Sequence, residues 1–257
     1  MEKVKKLHIV FFTLVKISSI EDRNIYADLM RYFVAMGHHV TILSPKERRE
    51  VGASEITSGD GFRIIRFRTP NIQKTNIVEK AISTYFIDAL LKRAIKKNIK
   101  NEHFDLAIYS TPPVTWVNSI RFLKKKYNLN TYLLLKDIFP QNAVDMGLIK
   151  NKGFIYNYFR KKETTLYRLS DFIGCMSQNN VDYVLKHNSW LSKERVEICP
   201  NSIELDAFRT NNNELTNLRG DLKIPDEATI FIYGGNLGKP QGIDFLVKLL
   251  NYFKNNN

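Results

Sequence analysis

Short apolar runs alternate along this chain with longer stretches in which apolar residues recur every three or four positions. Runs of the first kind read as strands buried on both faces, and stretches of the second kind as helices with one apolar stripe. The pattern predicts strands at 7–13, 39–43, 63–67, 106–109, 132–135, 172–175, 196–199 and 229–233. Helices are predicted near 22–36, 77–97, 114–126, 154–169 and 179–186. This alternation is that of a doubly wound α/β fold, a parallel sheet covered by helices on both faces.

The pattern breaks after residue 202. Residues 203–228 are polar and turn-rich apart from a short helical piece around 214–219, and read as a linker. Residues 1–202 are therefore expected to form a complete Rossmann-like domain, and 203–257 to be a linker and the start of a second, with room for one strand and one helix. The last helix carries Ile243, Leu246, Val247, Leu250 and Phe253 on one stripe, which is expected to bury against the first domain or another chain. Residues 255–257 read as a frayed tail, and no internal repeat is found.

Composition narrows the class. Among 257 residues, 44% are hydrophobic, enough for an ordinary core. The basic start, MEKVKK, precedes an apolar run that is short and lacks a small-residue cleavage site, so the N-terminus reads as a first strand and not a signal peptide. No run approaches the length needed to span a bilayer, and the expected location is cytoplasmic, soluble or peripheral at the inner membrane face. Thirty-nine Lys and Arg against 26 Asp and Glu give a net charge of +13. Such a balance favours polyanions, whether nucleic acid, phosphorylated small molecules or an anionic membrane, or else marks a generally basic surface. No nucleic-acid recognition motif accompanies it, so nucleic acid is not an expected partner. Cys175 and Cys199 lack a CxxC partner and read as free thiols, and no histidine has ligand spacing, so no metal is expected. A GxSxG nucleophile elbow is absent.

Four segments could carry chemistry. IFIYGGNLGKPQG, 230–242, reads as a strand, a Gly-rich turn and a helix start. Gly234, Gly235 and Gly238 would let successive amides face an anion at the positive end of the helix, with Lys239 adding a cation, or the turn is only a tight connection. LLLKDIFPQNAVDMGLIK, 133–150, runs a strand into Asp137 and Pro140. Asp137 is placed to accept a hydrogen bond or proton from a substrate hydroxyl, or else caps the next helix, while Phe139 shapes the rim. YSTPPVTW, 109–116, offers the Ser110 and Thr111 hydroxyls at another strand end, with helix capping the better account of Thr111. Finally, Lys92, Arg93, Lys96, Lys97 and Lys100 follow a stripe of Ile82, Phe86, Ala89 and Leu90, and Arg160, Lys161 and Lys162 sit among Phe154, Ile155, Tyr158 and Phe159. Both groups suit an anionic leaflet, or are solvated faces above a core stripe.

In order, the segments 28–45, KDIFPQNAVDMGLI, CPNSIELDAF and FIYGGNLGKPQGID resemble retaining glycosyltransferase family 4, within it the enzymes of bacterial capsule, O-antigen and exopolysaccharide synthesis. The resemblance runs along nearly the whole chain. It implies two facing Rossmann-like domains of the GT-B type, a nucleotide-diphosphate sugar as donor, and a polyprenyl-diphosphate-linked or saccharide acceptor at the membrane. It implies no metal and no cofactor, with retention of configuration and a departing phosphate that helps deprotonate the acceptor. By the same resemblance Gly235, Asn236, Gly238 and Lys239 match the donor-diphosphate loop and Asp137 a catalytic position facing the acceptor; Ser110, Thr111 and Phe139, at their strand ends, are then expected on the acceptor side.

Two departures accompany it. The loop 14–21, LVKISSIE, lacks the glycines common in the family. The family's paired-Glu motif would fall beyond Asn257, so little transferase activity is expected of this chain alone, which would be a fragment or would work with a separate C-terminal domain chain. A noncatalytic membrane-docking or acceptor-binding subunit and a sugar-nucleotide epimerase are the competing readings.

Overall fold

The computed structural model describes residues 5–72, 77–205, 218–235, 237–238 and 241–255. Contacts divide the chain into two units, 1–145 with 149–203, and 146–148 with 204–257.

The first unit holds an eight-stranded sheet. Its strands are β1 (His8–Phe12), β2 (His39–Glu47), β3 (Glu55–Gly59), β4 (Phe62–Thr69), β5 (Leu106–Thr111), β6 (Asn130–Leu135), β7 (Phe172–Cys175) and β8 (Val196–Ile198). The order is β3-β4-β2-β1-β5-β6-β7-β8, and every pair is parallel except β3 with β4. Around it lie α1 (Ile25–Ala35), α2 (Ile77–Asn98), α3 (Val117–Tyr127), α4 (Gln141–Asp145), α5 (Phe154–Leu169) and α6 (Gln178–His187). The fold is the expected Rossmann-like α/β class.

Strand β1 shows why. Its side chains alternate between two cores: Val10 and Phe12 join one with Ile87, Leu91, Trp116 and Leu166, while Ile9 and Phe11 join the other with Tyr26, Ala27 and Met30. A strand buried on both faces reads as a continuous apolar run. The helices are fixed by specific ends. The Asn24 side chain accepts from the Tyr26 and Ala27 amides at 3.1 and 3.0 Å and caps α1. The start of α3 is capped from another helix: the buried Asp88 carboxylate on α2 accepts from Asn118 and Ser119 amides at 3.0 and 2.9 Å.

Strand β3 lies outside the predicted set because EITSG is polar and wholly exposed. It is an edge strand held by charge: Glu55 pairs with Lys46 and, at 3.2 Å, with Arg66, which also reaches Glu50 at 2.6 Å. Burial alone would raise the Glu50 carboxyl, but Lys16 and Arg66 outweigh it and bring its pKa to about 2.

Two expectations are corrected. The buried face of α2 is Ile87, Leu91, Ala94 and Ile95, whereas Phe86 and Ala89 of the predicted stripe are exposed. The true face is one position further on and includes the polar Ser83 and Asp88, which hid its periodicity. Residues 229–233 form no strand, since a strand needs a hydrogen-bonded neighbour and none of the described residues supplies one. In the second unit, α7 (Leu218–Asp221) and α8 (Ile243–Asn255) are the helices described. Helix α8 has no buried residue within the second unit. Residues 214–217 of the predicted linker helix lie outside the described residues.

Candidate active site

Strand order reverses between β1 and β5: the chain proceeds from β1 to β2 and β4 on one side, and through β5 to β8 on the other. The carboxyl ends of strands flanking such a switch point form the natural ligand crevice of an open α/β sheet. Here those ends bring together Thr13, the pair Ser110 and Thr111, and the segment 136–141.

Ser110 and Thr13 stand at neighbouring strand ends, and the Ser110 hydroxyl donates to Thr13 Oγ1 at 2.9 Å. Tyr26, in the first turn of α1, brings its hydroxyl to both, and burial raises its pKa, with the charge of Asp137 adding to the rise. Thr111 is almost fully buried, and its hydroxyl has no hydrogen-bond partner among the described residues. The expectation that Thr111 caps the following helix is overturned: α3 starts later, at Val117, and takes its cap from Asp88. Ser110 is equally buried, so it braces the floor of the crevice through Thr13. Beneath it, Trp116 Nε1 donates to the Ser110 carbonyl at 3.1 Å and the indole meets Phe12 edge-on at 5.4 Å.

Asp137 follows β6 at the rim. The residue is exposed, yet its carboxyl is desolvated enough for burial to raise its pKa, and no hydrogen bond or countercharge among the described residues opposes that rise. It does not cap α4, whose first turn is closed by main-chain bonds such as Asn142 N to the Ile138 carbonyl at 2.9 Å. A carboxylate at a strand's carboxyl end can accept a hydrogen bond from a hydroxyl. Phe139 is half-buried and packs edge-on against Phe159 of α5 at 4.9 Å, so α5 holds the Asp137 loop in place. Loop 14–21 has no glycines and is pinned instead by Ser44, whose hydroxyl accepts from the Ile17 amide at 2.7 Å and donates to the Val15 carbonyl at 3.2 Å. Tyr26 and Thr13 were not among the sequence candidates: only the fold shows that the first turn of α1 meets the end of β5.

The Gly-rich loop belongs to the second unit. Asn236 and Lys239 lie outside the described residues. Gly235 and Gly238 are described, but the left-handed backbone in this stretch falls on Gly242, with φ 65°, and not on Gly234 or Gly235. A side chain at Gly234 would meet nothing within 4 Å. Gly242 immediately precedes α8, and its carbonyl accepts from the Phe245 amide at 2.9 Å. Among the described residues no His, Cys, Asp or Glu cluster has the makings of a metal site.

Residues 24–207 match the model of Glycosyltransferase Family 4. The chain belongs to this family. It is 20% identical over 191 residues to the probable glycosyltransferase WbjE of Pseudomonas aeruginosa, covering 74% of this chain and 46% of that protein. Its fold is similar to that of the E. coli trehalose-6-phosphate structure bound with UDP-2-fluoro glucose, with TM-score 0.58, 11% identity, and coverage of 84% of this chain and 54% of the other. It is also similar to a UDP-forming trehalose-phosphate synthase from Burkholderia xenovorans, with TM-score 0.53, 12% identity, and coverage of 79% and 50%. The chain spans about half the length of the relatives it matches.

Proposed function

We propose that the protein takes part in sugar transfer from a nucleotide-diphosphate donor to a polyprenyl-diphosphate-linked or saccharide acceptor in bacterial surface-polysaccharide synthesis, and that this chain supplies the acceptor side. The observation that carries the proposal is Asp137, a carboxylate at the carboxyl end of β6, one strand from the sheet's switch point and near Tyr26, in a chain of glycosyltransferase family 4.

During transfer the bond from the anomeric carbon to the diphosphate oxygen breaks, and a bond to the acceptor oxygen forms. The acceptor hydroxyl gives up its proton to the departing phosphate, and the configuration is retained. Asp137 orients that hydroxyl by accepting its hydrogen bond, and its raised pKa brings it nearer the range where a carboxylate shares a proton effectively. Charge that grows on the leaving diphosphate needs fixed positive partners, and the loop of Gly235, Asn236, Gly238 and Lys239 is suited to that role without a metal.

A membrane-bound acceptor would place the protein at the inner face of the cell membrane. Support comes from α5, where Phe154 is 89% exposed beside the exposed Ile155 and Tyr158, with Lys150, Lys152, Lys161 and Lys162 nearby in sequence. Among the described residues no helix is long and apolar enough to cross a membrane. Each lysine near an anionic leaflet adds about 1 kcal/mol to attachment.

The test is titration of the chain with a short-chain polyprenyl-diphosphate-linked sugar in micelles. Asp137→Asn is expected to weaken binding about tenfold, as for loss of one hydrogen bond to a charged group. Equal affinity of the two proteins would refute the assignment.

A further inference from the structure

The basic run of α2 divides into two sides. Lys92 and Lys96 stand over the Phe122 ring of α3 at 5.6 and 5.4 Å. Arg93 and Lys97 share a second stripe with Leu90 and Ala94, at the three- and four-residue spacing of one helix face. That stripe meets Phe67 and Arg68 near the end of β4, and together they line a cavity of about 220 Å³. Its floor is apolar, with Phe67 and Ala94 buried and Leu90 half-buried. Its charge is of one sign. Among the described residues no carboxylate lines it, and neither Arg93 nor Lys97 has a hydrogen-bond or ion-pair partner. Arg68 is held by main chain instead of a carboxylate: Nη1 donates to the Glu47 and Glu50 carbonyls at 3.1 and 2.7 Å, and Nη2 to the Arg48 carbonyl at 3.1 Å. These bonds fix the guanidinium, leave its charge uncompensated and keep its Nε hydrogen available. The nearby acids are taken elsewhere: Glu47 pairs with Arg49, Glu50 with Lys16 and Arg66, and Glu55 with Lys46 and Arg66.

We propose that this cavity binds a phosphate monoester, with Arg68, Arg93 and Lys97 holding the phosphate and Phe67, Leu90 and Ala94 facing the carbon skeleton. Like charges four residues apart on a helix repel, and Arg68 adds a third, so the empty cavity is strained electrostatically until an anion enters. A phosphate monoester carries about −1.5 to −2 charges near neutral pH and three strong acceptor oxygens, which guanidinium groups take in pairs. A monocarboxylate would leave much of the charge unanswered, and a metal cation would be repelled. The ester is either a soluble sugar or glycerol phosphate or the headgroup of an anionic lipid, and the shared group is the phosphate. The inference concerns the β4–α2 side of the sheet and does not rest on the sugar-transfer reading.

The experiment uses the 257-residue chain at fixed ionic strength. Glycerol 3-phosphate is titrated by calorimetry, and flotation follows attachment to phosphatidylcholine vesicles with and without phosphatidic acid. Binding of glycerol 3-phosphate assigns the cavity to a soluble ester, and binding only to the vesicles that contain phosphatidic acid assigns it to a lipid headgroup. Arg93→Gln and Lys97→Gln, both at exposed positions, should each weaken whichever probe binds about tenfold, as for loss of a charge-assisted contact. Lys96→Gln removes the same charge from the same helix outside the cavity and should bind nearly normally. In the unsubstituted protein the bound monoester should protect Arg93 from phenylglyoxal, a readout that decides the matter even if a variant does not fold. Binding of neither probe, unprotected Arg93 at saturation, or an equal loss in Lys96→Gln and Arg93→Gln, which would mean diffuse attraction to a basic surface, would overturn the proposal.

Discussion

The sheet unit and the unit carrying α8 both contain apolar runs, and each treats them differently. In the first, the side chains of β1 divide cleanly between two cores, and Phe11, Phe12, Tyr109 and Trp116 are wholly buried. In the second, Phe231, Ile232, Phe245 and Tyr252 are exposed, and the Phe231–Phe253 stack at 5.8 Å is a local contact and not a core. Hydrophobic periodicity makes a helix amphipathic, but stability comes from the surface it buries. The stability of the chain should therefore reside in the sheet unit.

Substitutions should reveal that contrast in graded steps. Trp116→Ala should cost the most, about 3–5 kcal/mol in denaturant unfolding, because it empties a fully enclosed site between β1 and α3 and leaves the Ser110 carbonyl without its donor. Asp88→Ala should come next, at about 2–3 kcal/mol, since it strips the α3 amides of a buried cap. A loss under about 0.5 kcal/mol for Asp88→Ala would mean that water replaces the carboxylate and α3 is not anchored through α2. Phe245→Ser on α8 should change stability by less than about 0.5 kcal/mol, because its ring is already in solvent. A larger loss there would show that α8 buries its stripe in solution and would erase the distinction between the two units.

Much of the sheet unit could be read in the sequence because its physics is local and repetitive. The predicted 154–169 helix and 172–175 strand match the observed boundaries, and the remaining parallel strands differ only at their ends. What was illegible depended on partners distant in the chain. Strand β3 is polar and exists because β4 pairs with it and Lys46 and Arg66 neutralise Glu55, a condition that periodicity does not register. Residues 229–233 have strand composition but no strand beside them among the described residues. The candidate site shows the same division. Asp137 and Phe139 were visible because they follow a strand and precede a proline. Tyr26 and Thr13 acquire meaning only when the fold brings their hydroxyls to Ser110 at the end of β5.

The most direct test of the account is a hydrogen-exchange footprint of the chain with a polyprenyl-diphosphate-linked sugar, compared with Asp137→Asn. Protection over 109–116 and 136–145, lost in the variant and accompanied by little change across the distant edge strand 55–59, is the predicted result. Protection that spares 136–145, or that persists undiminished in Asp137→Asn, would contradict an acceptor site at the switch point.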